Sequence, residues 1–370
     1  MKLSILTTPY FFLLVGLLCC RPKPGIDGYA LANKIDSLIG TVPDFSGVLL
    51  VADKGNVVYH KAFGFRNFEL KIPLDTMDIF ELASISKQFT AMIIMMLKEQ
   101  GKLSFDDSVS AYLPDLPYRG ITIRHLLTHT SGLPDYQAIM ERYWNKSKIA
   151  RNEDNIEYLI RYKPAAVFAP GAQFAYSNTG YMLLATIAEK TSGEDFVALC
   201  RNWIFSPLNM TNADIRTPEE KRHIRNFAPG YLLVAEKQRY ISADSFPEFN
   251  YTIWLGHRKG PGRISATAMD LLKWDRALYT ERLVKSSTLS IAFSPVQLTS
   301  DSISAYGFGW LISHDDKLGR MVYHTGDNPG YKTEIIRYID AEKTIILLNN
   351  NAHEKKGEII AAIKKMISAS

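Results

Sequence analysis

The chain has 370 residues, 46% of them hydrophobic and 22% charged, with a formal net charge of +5. That balance belongs to globular proteins and excludes the polar, strongly charged composition of disordered chains. The basic residues are dispersed, with no run and no aromatic-interleaved stripe, so nucleic acid is not an expected partner.

The first twenty residues stand apart. Met1-Lys2 leads into the apolar stretch Tyr10–Leu18, which ends at Cys19-Cys20. It is too short and one-sided for a spanning helix and reads as a secretory leader over 1–20, followed by a linker over 21–28. Leu17-Leu18-Cys19-Cys20 resembles a loose bacterial lipobox with Cys20 as the acylated residue, although Cys19 stands where glycine or alanine is usual. Two readings stay open: a lipid tether to a bacterial envelope membrane, facing the periplasm or exterior, or a plain cleaved leader. With two of three cysteines in the leader, Cys200 is left alone and no intramolecular disulfide is expected.

From residue 29 onward the pattern predicts an α+β (α/β) unit. Tyr29–Leu38 has the spacing of an amphipathic helix. Phe45–Ala52 and Asn56–Phe63 are β-rich runs around the turn signal Asp53-Lys54-Gly55. Near the other end, Arg320–His324, Lys332–Ile339 and Thr344–Asn349 are three more strand candidates, followed by a helix from about Glu354 to Ser368. The chain between is largely helical, broken by Leu113-Pro114-Asp115-Leu116-Pro117 and Phe168-Ala169-Pro170-Gly171. An antiparallel sheet of five or more strands is therefore expected from residues 29–80 and about 260–370, flanked by terminal helices. A mainly helical lobe, about 84–255, is inserted, with the cleft between the lobes.

Within that frame Glu81-Leu82-Ala83-Ser84-Ile85-Ser86-Lys87 carries the first chemistry. A serine hydroxyl needs a base to become a nucleophile. If a helix starts at Ser84, Lys87 lies one turn along the same face. Phe89, Met92, Ile93, Met96 and Leu97 follow at helical spacing and Gly101 marks the stop. Ser84 is thus expected at the N-cap, where the dipole end depresses the lysine pKa and favours an oxyanion. Taken alone, Ser-x-x-Lys also fits an N-cap serine beside a solvated lysine. Further on come Tyr176-Ser177-Asn178 and His324-Thr325-Gly326-Asp327. Alone, Tyr176 fits a core aromatic and Asn178 an N-cap of a helix near Thr179.

Together, Ser84/Lys87, Tyr176/Asn178 and His324-Thr325-Gly326 stand in the order of the serine β-lactamase and penicillin-binding protein superfamily, which the chain resembles over about residues 30–365. The likeness is to its class C branch, which also holds D-peptidases and carboxylesterases. Supporting stretches are Ile121–Leu133, Gly262–Thr267 with Asp270–Trp274, and Tyr306–Trp310. The resemblance implies a β-lactamase/transpeptidase-like fold and a covalent acyl-enzyme on Ser84. Tyr176 would be a phenolate-type base lowered by Lys87 and later an acid; Asn178, His324, Thr325 and Gly326 would orient substrate. The oxyanion hole would be the backbone N–H groups of Ser84 and Asp327. No metal and no organic cofactor is implied.

His324 departs from the lysine common in β-lactamases. With an ordinary pKa near ~6.5 it is mostly neutral at pH 7 and attracts a carboxylate less. That tilts the expectation from β-lactam hydrolysis toward a carboxylesterase, D-aminopeptidase or D-Ala-D-Ala carboxypeptidase, with Lys332 or Arg263 as candidate replacement cations. The partner is a small-molecule or peptide substrate. A module on the same fold that is acylated without releasing product is the alternative. His125 and His129, spaced i, i+4, lack the glutamate of a zinc motif, Leu126 standing in its place, and read as structural. No Gly-x-Ser-x-Gly elbow, phosphate loop or dinucleotide fingerprint occurs. Trp254, Trp274 and Trp310 are expected in the core.

Overall fold

The computed structural model describes residues 27–369. The leader, Cys20 and most of the 21–28 linker lie outside those residues. The protein is built on one antiparallel sheet of six strands drawn from both ends of the chain. We label them β1 (Gly47–Asp53), β2 (Asn56–Phe63), β3 (Leu311–Asp315), β4 (Gly319–Asn328), β5 (Tyr331–Tyr338) and β6 (Lys343–Asn349). Their order across the sheet is β3-β4-β5-β6-β1-β2. Gly47 faces Asn349 and Asp53 faces Lys343, so β1 and β6 join the two chain ends at the sheet centre.

The sequence of β1 explains that position. Every residue of Gly-Val-Leu-Leu-Val-Ala-Asp is buried. Strand side chains alternate between faces. Val48, Leu50 and Ala52 enter one core, and Leu49 and Val51 the other. Ile346 and Leu348 against Ile345 and Leu347 repeat the division in β6. A continuous apolar run is what a strand covered on both faces requires. The outer core is closed by α1 (Gly28–Gly40) and α4 (Lys356–Ser368), through Leu31, Ile35 and Ile39 on one helix and Ile359, Ile360, Ile363 and Ile367 on the other. Asp27 caps α1 by accepting from the backbone N–H groups of Tyr29 and Ala30.

The inner face packs on the helix Ala268–Ala277, and the same core continues into the inserted lobe around α2 (Ser86–Glu99), which lies against α3 (Asn178–Ser192). Buried residues run all round α2, including Phe89, Ala91, Met92, Ile93, Ile94, Met95 and Leu97. Such a helix belongs inside a protein rather than on its surface. Trp254, Trp274 and Trp310 are buried, and Trp274 donates its indole N–H to Gln88 Oε1 at 2.9 Å.

Two features go beyond what the sequence marked. The edge strand β3 carries no alternating apolar signal, because its Ser313 and His314 are exposed. The mainly helical insertion also holds a small sheet: Phe80–Glu81, Ile264–Ala266 and Asp214–Ile215 form three strands that stitch the lobe to the segment before Ser84.

Candidate active site

Ser84 does not cap a helix. It sits in the 3₁₀ turn Ala83–Ile85, and α2 begins only at Ser86, where the cap position Ile85 makes no side-chain bond. Ala83 has φ +49°, a left-handed conformation unusual for a residue with a Cβ. The surroundings impose that turn. A Cβ on Gly326 would lie 2.2 Å from the Leu82 carbonyl oxygen and 2.1 Å from Thr333 Oγ1. Only glycine lets β4 press this closely on the turn. Thr333 Oγ1 itself donates to the Leu82 carbonyl at 2.9 Å.

Lys87 is fully buried, and its Nζ has three oxygen neighbours: Ser84 Oγ at 3.1 Å, Asn178 Oδ1 at 2.9 Å and the Pro261 carbonyl at 2.8 Å. The last two can only accept. No carboxylate is among them. Burial pushes the Lys87 pKa well below that of an ordinary lysine, and the charge of Arg258 adds to the effect. The cause is thus desolvation and a second cation, not the helix end that the sequence suggested.

Tyr176 is delivered by the loop before α3. His129 anchors this loop, accepting from the Ser177 N–H at Nδ1 (3.0 Å) and from the Ala175 N–H at its own carbonyl (2.9 Å). Ser177, not Asn178, caps α3 by accepting from the Gly180 N–H; Asn178 is its first residue and aims at Lys87. The Tyr176 residue is 44% exposed, but its hydroxyl end is lodged in the site beside Ser84. Burial raises this phenol above its ordinary pKa. The expected lowering by Lys87 is therefore overturned. The Lys87 amine lies over the ring, 4.7 Å from its centroid, rather than on the phenol oxygen.

His324 also differs from expectation. It is 2% exposed, and both ring nitrogens are engaged. Nδ1 lies 2.7 Å from the Thr325 carbonyl, which can only accept, so Nδ1 carries the hydrogen. Nε2 then accepts from the Tyr306 hydroxyl at 2.9 Å. Burial, with the charge of Lys87 behind it, lowers the His324 pKa to about 3. His324 thus braces Tyr306 and has no free nitrogen for a substrate. Along β4, His324 and Gly326 are buried while Thr325 and Asp327 are exposed. β3 pairs with β4 only as far as Tyr323, leaving the edge of 324–328 without a strand on that side. The Asp327 carboxylate holds Lys332 at 2.5 Å.

Neither replacement cation is free to serve. Lys332 is paired with Asp327, and Arg263 is buried, donating to the Thr252 carbonyl and lying 3.9 Å from the Glu81 carboxylate. Arg258, which no motif marks, is the cation whose charge reaches Lys87. His125 and His129 are structural. His125 Nδ1 accepts from the Thr122 N–H in a capping box, and His129, outside the helix Ile123–Leu127, sits among Phe174, Tyr176, Tyr181 and Tyr306. The aromatic cage around His129 carries no motif beyond the Ile121–Leu133 stretch.

The family model described as Beta-lactamase matches residues 35–366. The chain is 39% identical over 321 residues to penicillin-binding protein 4* of Bacillus subtilis (strain 168), covering 86% of this chain and 71% of that protein. It is 25% identical over 342 residues to a D-aminopeptidase of Cereibacter sphaeroides (strain ATCC 17029 / ATH 2.4.9), covering 91% of this chain and 63% of that one. The solved structure of the octameric penicillin-binding protein homologue from Pyrococcus abyssi superposes with a TM-score of 0.76 at 28% identity, covering 92% of this chain and 77% of that one. The chain therefore belongs to the β-lactamase family, whose members share the β-lactamase fold and include serine hydrolases.

Proposed function

We propose that the protein hydrolyses a small ester or amide through an acyl-enzyme on Ser84. The observation that carries this reading is the set of partners on Lys87. A neutral amine has two hydrogens and one lone pair. The obligate acceptors Asn178 Oδ1 and Pro261 O take the hydrogens, and the lone pair is left for the Ser84 hydroxyl. Ser84 Oγ forms the new bond to the substrate carbonyl while its proton passes to Lys87 Nζ. Backbone N–H groups of Ser84 and Asp327 would hold the oxyanion, typically worth ~3 kcal/mol per donor. As the carbonyl–leaving-group bond breaks, the departing atom takes the Tyr176 proton, and Lys87 returns its own to the phenolate. Water then repeats the sequence in reverse roles and frees Ser84. A phenol held neutral by burial suits the acid role.

His324, neutral and internally bonded, supports an uncharged leaving group over one bearing a carboxylate. Esters and D-aminopeptidase-type amides are thus placed ahead of β-lactams. A panel of nitrocefin, short acyl esters and D-alanyl peptides should show turnover of an ester or peptide well above that of nitrocefin. Ser84→Ala should abolish that hydrolysis in a folded protein and remove the acyl adduct seen by mass spectrometry; unchanged turnover would end the nucleophile assignment. The leader supports export, and fatty-acid labelling of wild type but not Cys20→Ser would support a tether at Cys20.

A further inference from the structure

A hollow of about 400 Å³ opens beside the candidate site, walled by Phe174, Leu298, Ile303, Ala305, Tyr306 and Leu311, with serines completing its lining. No residue that lines it is charged. A larger groove of about 740 Å³ around Lys259 is the opposite, lined mostly by charged side chains. Two apolar side chains of the hollow are turned to solvent, Ile303 at 67% exposed and Phe174 at 40%. An open, uncharged recess with apolar walls has the form of a ligand site rather than of ordinary surface.

Two observations place it against Tyr176. Phe174 stands two residues before Tyr176 on the loop that His129 anchors. Its ring lies 5.8 Å from that of Tyr306, which in turn lies 6.3 Å from the Tyr176 ring. The second observation comes from the sheet. Leu311, in the wall, opens β3 and pairs with Tyr323, after which β4 has no strand on that side. The hollow thus begins where the free edge 324–328 begins, the edge that carries Asp327.

The walls are held in place. A short ribbon of Val296–Gln297 against Ile303–Ser304 presents Ile303. Thr299, in its turn, donates its N–H to the Gly171 carbonyl at 3.0 Å, and the Gly171 N–H donates to the Thr130 carbonyl at 2.8 Å. Tyr306 engages its hydroxyl with His324 and leaves only its ring for the wall.

We propose that this hollow seats a neutral, apolar leaving group, the alcohol side of an ester or the amine side of an amide, and that Ile303 and Phe174 set the preference for it. This rests on the mechanism proposed above for Ser84 and Tyr176. Tyr176 gives its proton to the departing atom, so whatever that atom carries starts at the phenol hydroxyl. The run of rings Tyr176, Tyr306 and Phe174 leads from there into the hollow. A carboxylate would meet no cation among the lining residues, whereas alkyl or aryl carbon would leave water for apolar walls.

Two ester series test this with purified protein. The constant kcat/KM covers binding and acylation, so it reads the leaving group whatever becomes of the acyl-enzyme later. In alkyl acetates from ethyl to hexyl the acyl part is fixed, and kcat/KM should rise ~3-fold per added methylene. In ethyl alkanoates from acetate to hexanoate the alcohol is fixed, and the rise should be much smaller. Ile303→Asn, at an exposed position that folding tolerates, should lower the hexyl-to-ethyl ratio of the first series ~10-fold. Phe174→Ser should lower the same ratio. Leu233→Asn, which removes an exposed apolar side chain outside the hollow, should keep the wild-type ratio. Equal slopes in the two series, a steeper acyl series, or an unchanged ratio in Ile303→Asn overturns the proposal. No turnover of any ester and no acyl adduct on Ser84 by mass spectrometry sinks the proposed function and this subsite with it. An adduct on Ser84 with a flat alkyl acetate series sinks only the subsite.

Discussion

A fully buried lysine, Lys87, and a mostly covered one, Lys221, lie on either side of the Ser84 turn, and they are built for opposite ends. Lys87 meets three neutral oxygens and no acid. Lys221 meets Glu81, which is also held by Asn328 at the tip of β4 and has Arg263 at 3.9 Å. Burial pushes both amines down. For Glu81 burial acts upward, but the charges of Lys221 and Arg263 outweigh it and set its pKa at about 2. The lesson is that burial alone does not mark a reactive lysine. A counter-ion makes it a strut, and the lack of one is what the base role proposed for Lys87 requires.

Exchanging the fates of the two lysines should break the comparison if it is wrong. Lys87→Met should lower kcat/KM on a chromogenic ester by ~10²–10⁴, the usual worth of a positioned base. Its thermal midpoint should hold, since an uncompensated buried amine has been removed. Lys221→Met should act the other way, leaving the buried Glu81 with only Asn328 and, at 3.9 Å, Arg263, at a cost of ~3 kcal/mol in urea unfolding.

The sign with pH sharpens the contrast. Glu81 has its folded pKa at about 2, below the ordinary 4.5, so its stabilisation is complete above 4.5 and fades as pH falls through 2. Glu81→Gln should flatten the decline of wild-type stability between those values. Gly326→Val tests the clamp that holds both neighbourhoods in place. Its Cβ meets backbone at 2.2 Å, and ~3 kcal/mol should be lost in the same unfolding assay. The smallest effect is expected from Tyr306→Phe, which strands the buried His324 Nε2 at about 1 kcal/mol in that assay.

Much of this was legible in the amino-acid sequence, for identifiable reasons. β1 and β6 announce themselves because strands covered on both faces must be apolar throughout. Ser84, Lys87, Tyr176 and Asn178 were singled out by motif, and the fold brings them together. What stayed hidden depends on three-dimensional company. The left-handed Ala83 looks like any alanine, and only the Gly326 contact makes its turn intelligible. The Tyr176 phenol was given the wrong direction because the desolvation of its hydroxyl end cannot be read along a chain. His324 was placed facing substrate because nothing in its neighbours' names shows that Tyr306 and the Thr325 carbonyl occupy both nitrogens. Arg258 lies in no recognisable pattern along the chain.

The pairing of β1 with β6 has a consequence for how the molecule comes into being. Until the last strand emerges, β1 offers a naked, wholly greasy edge, and the only early neighbour available to it is β2. Such distant contacts form slowly, and an open edge of this kind invites association with other copies. Biogenesis should therefore depend on something shielding the nascent amino-terminal hairpin, and enzymatic competence should arrive abruptly, with the closing stretch of polypeptide.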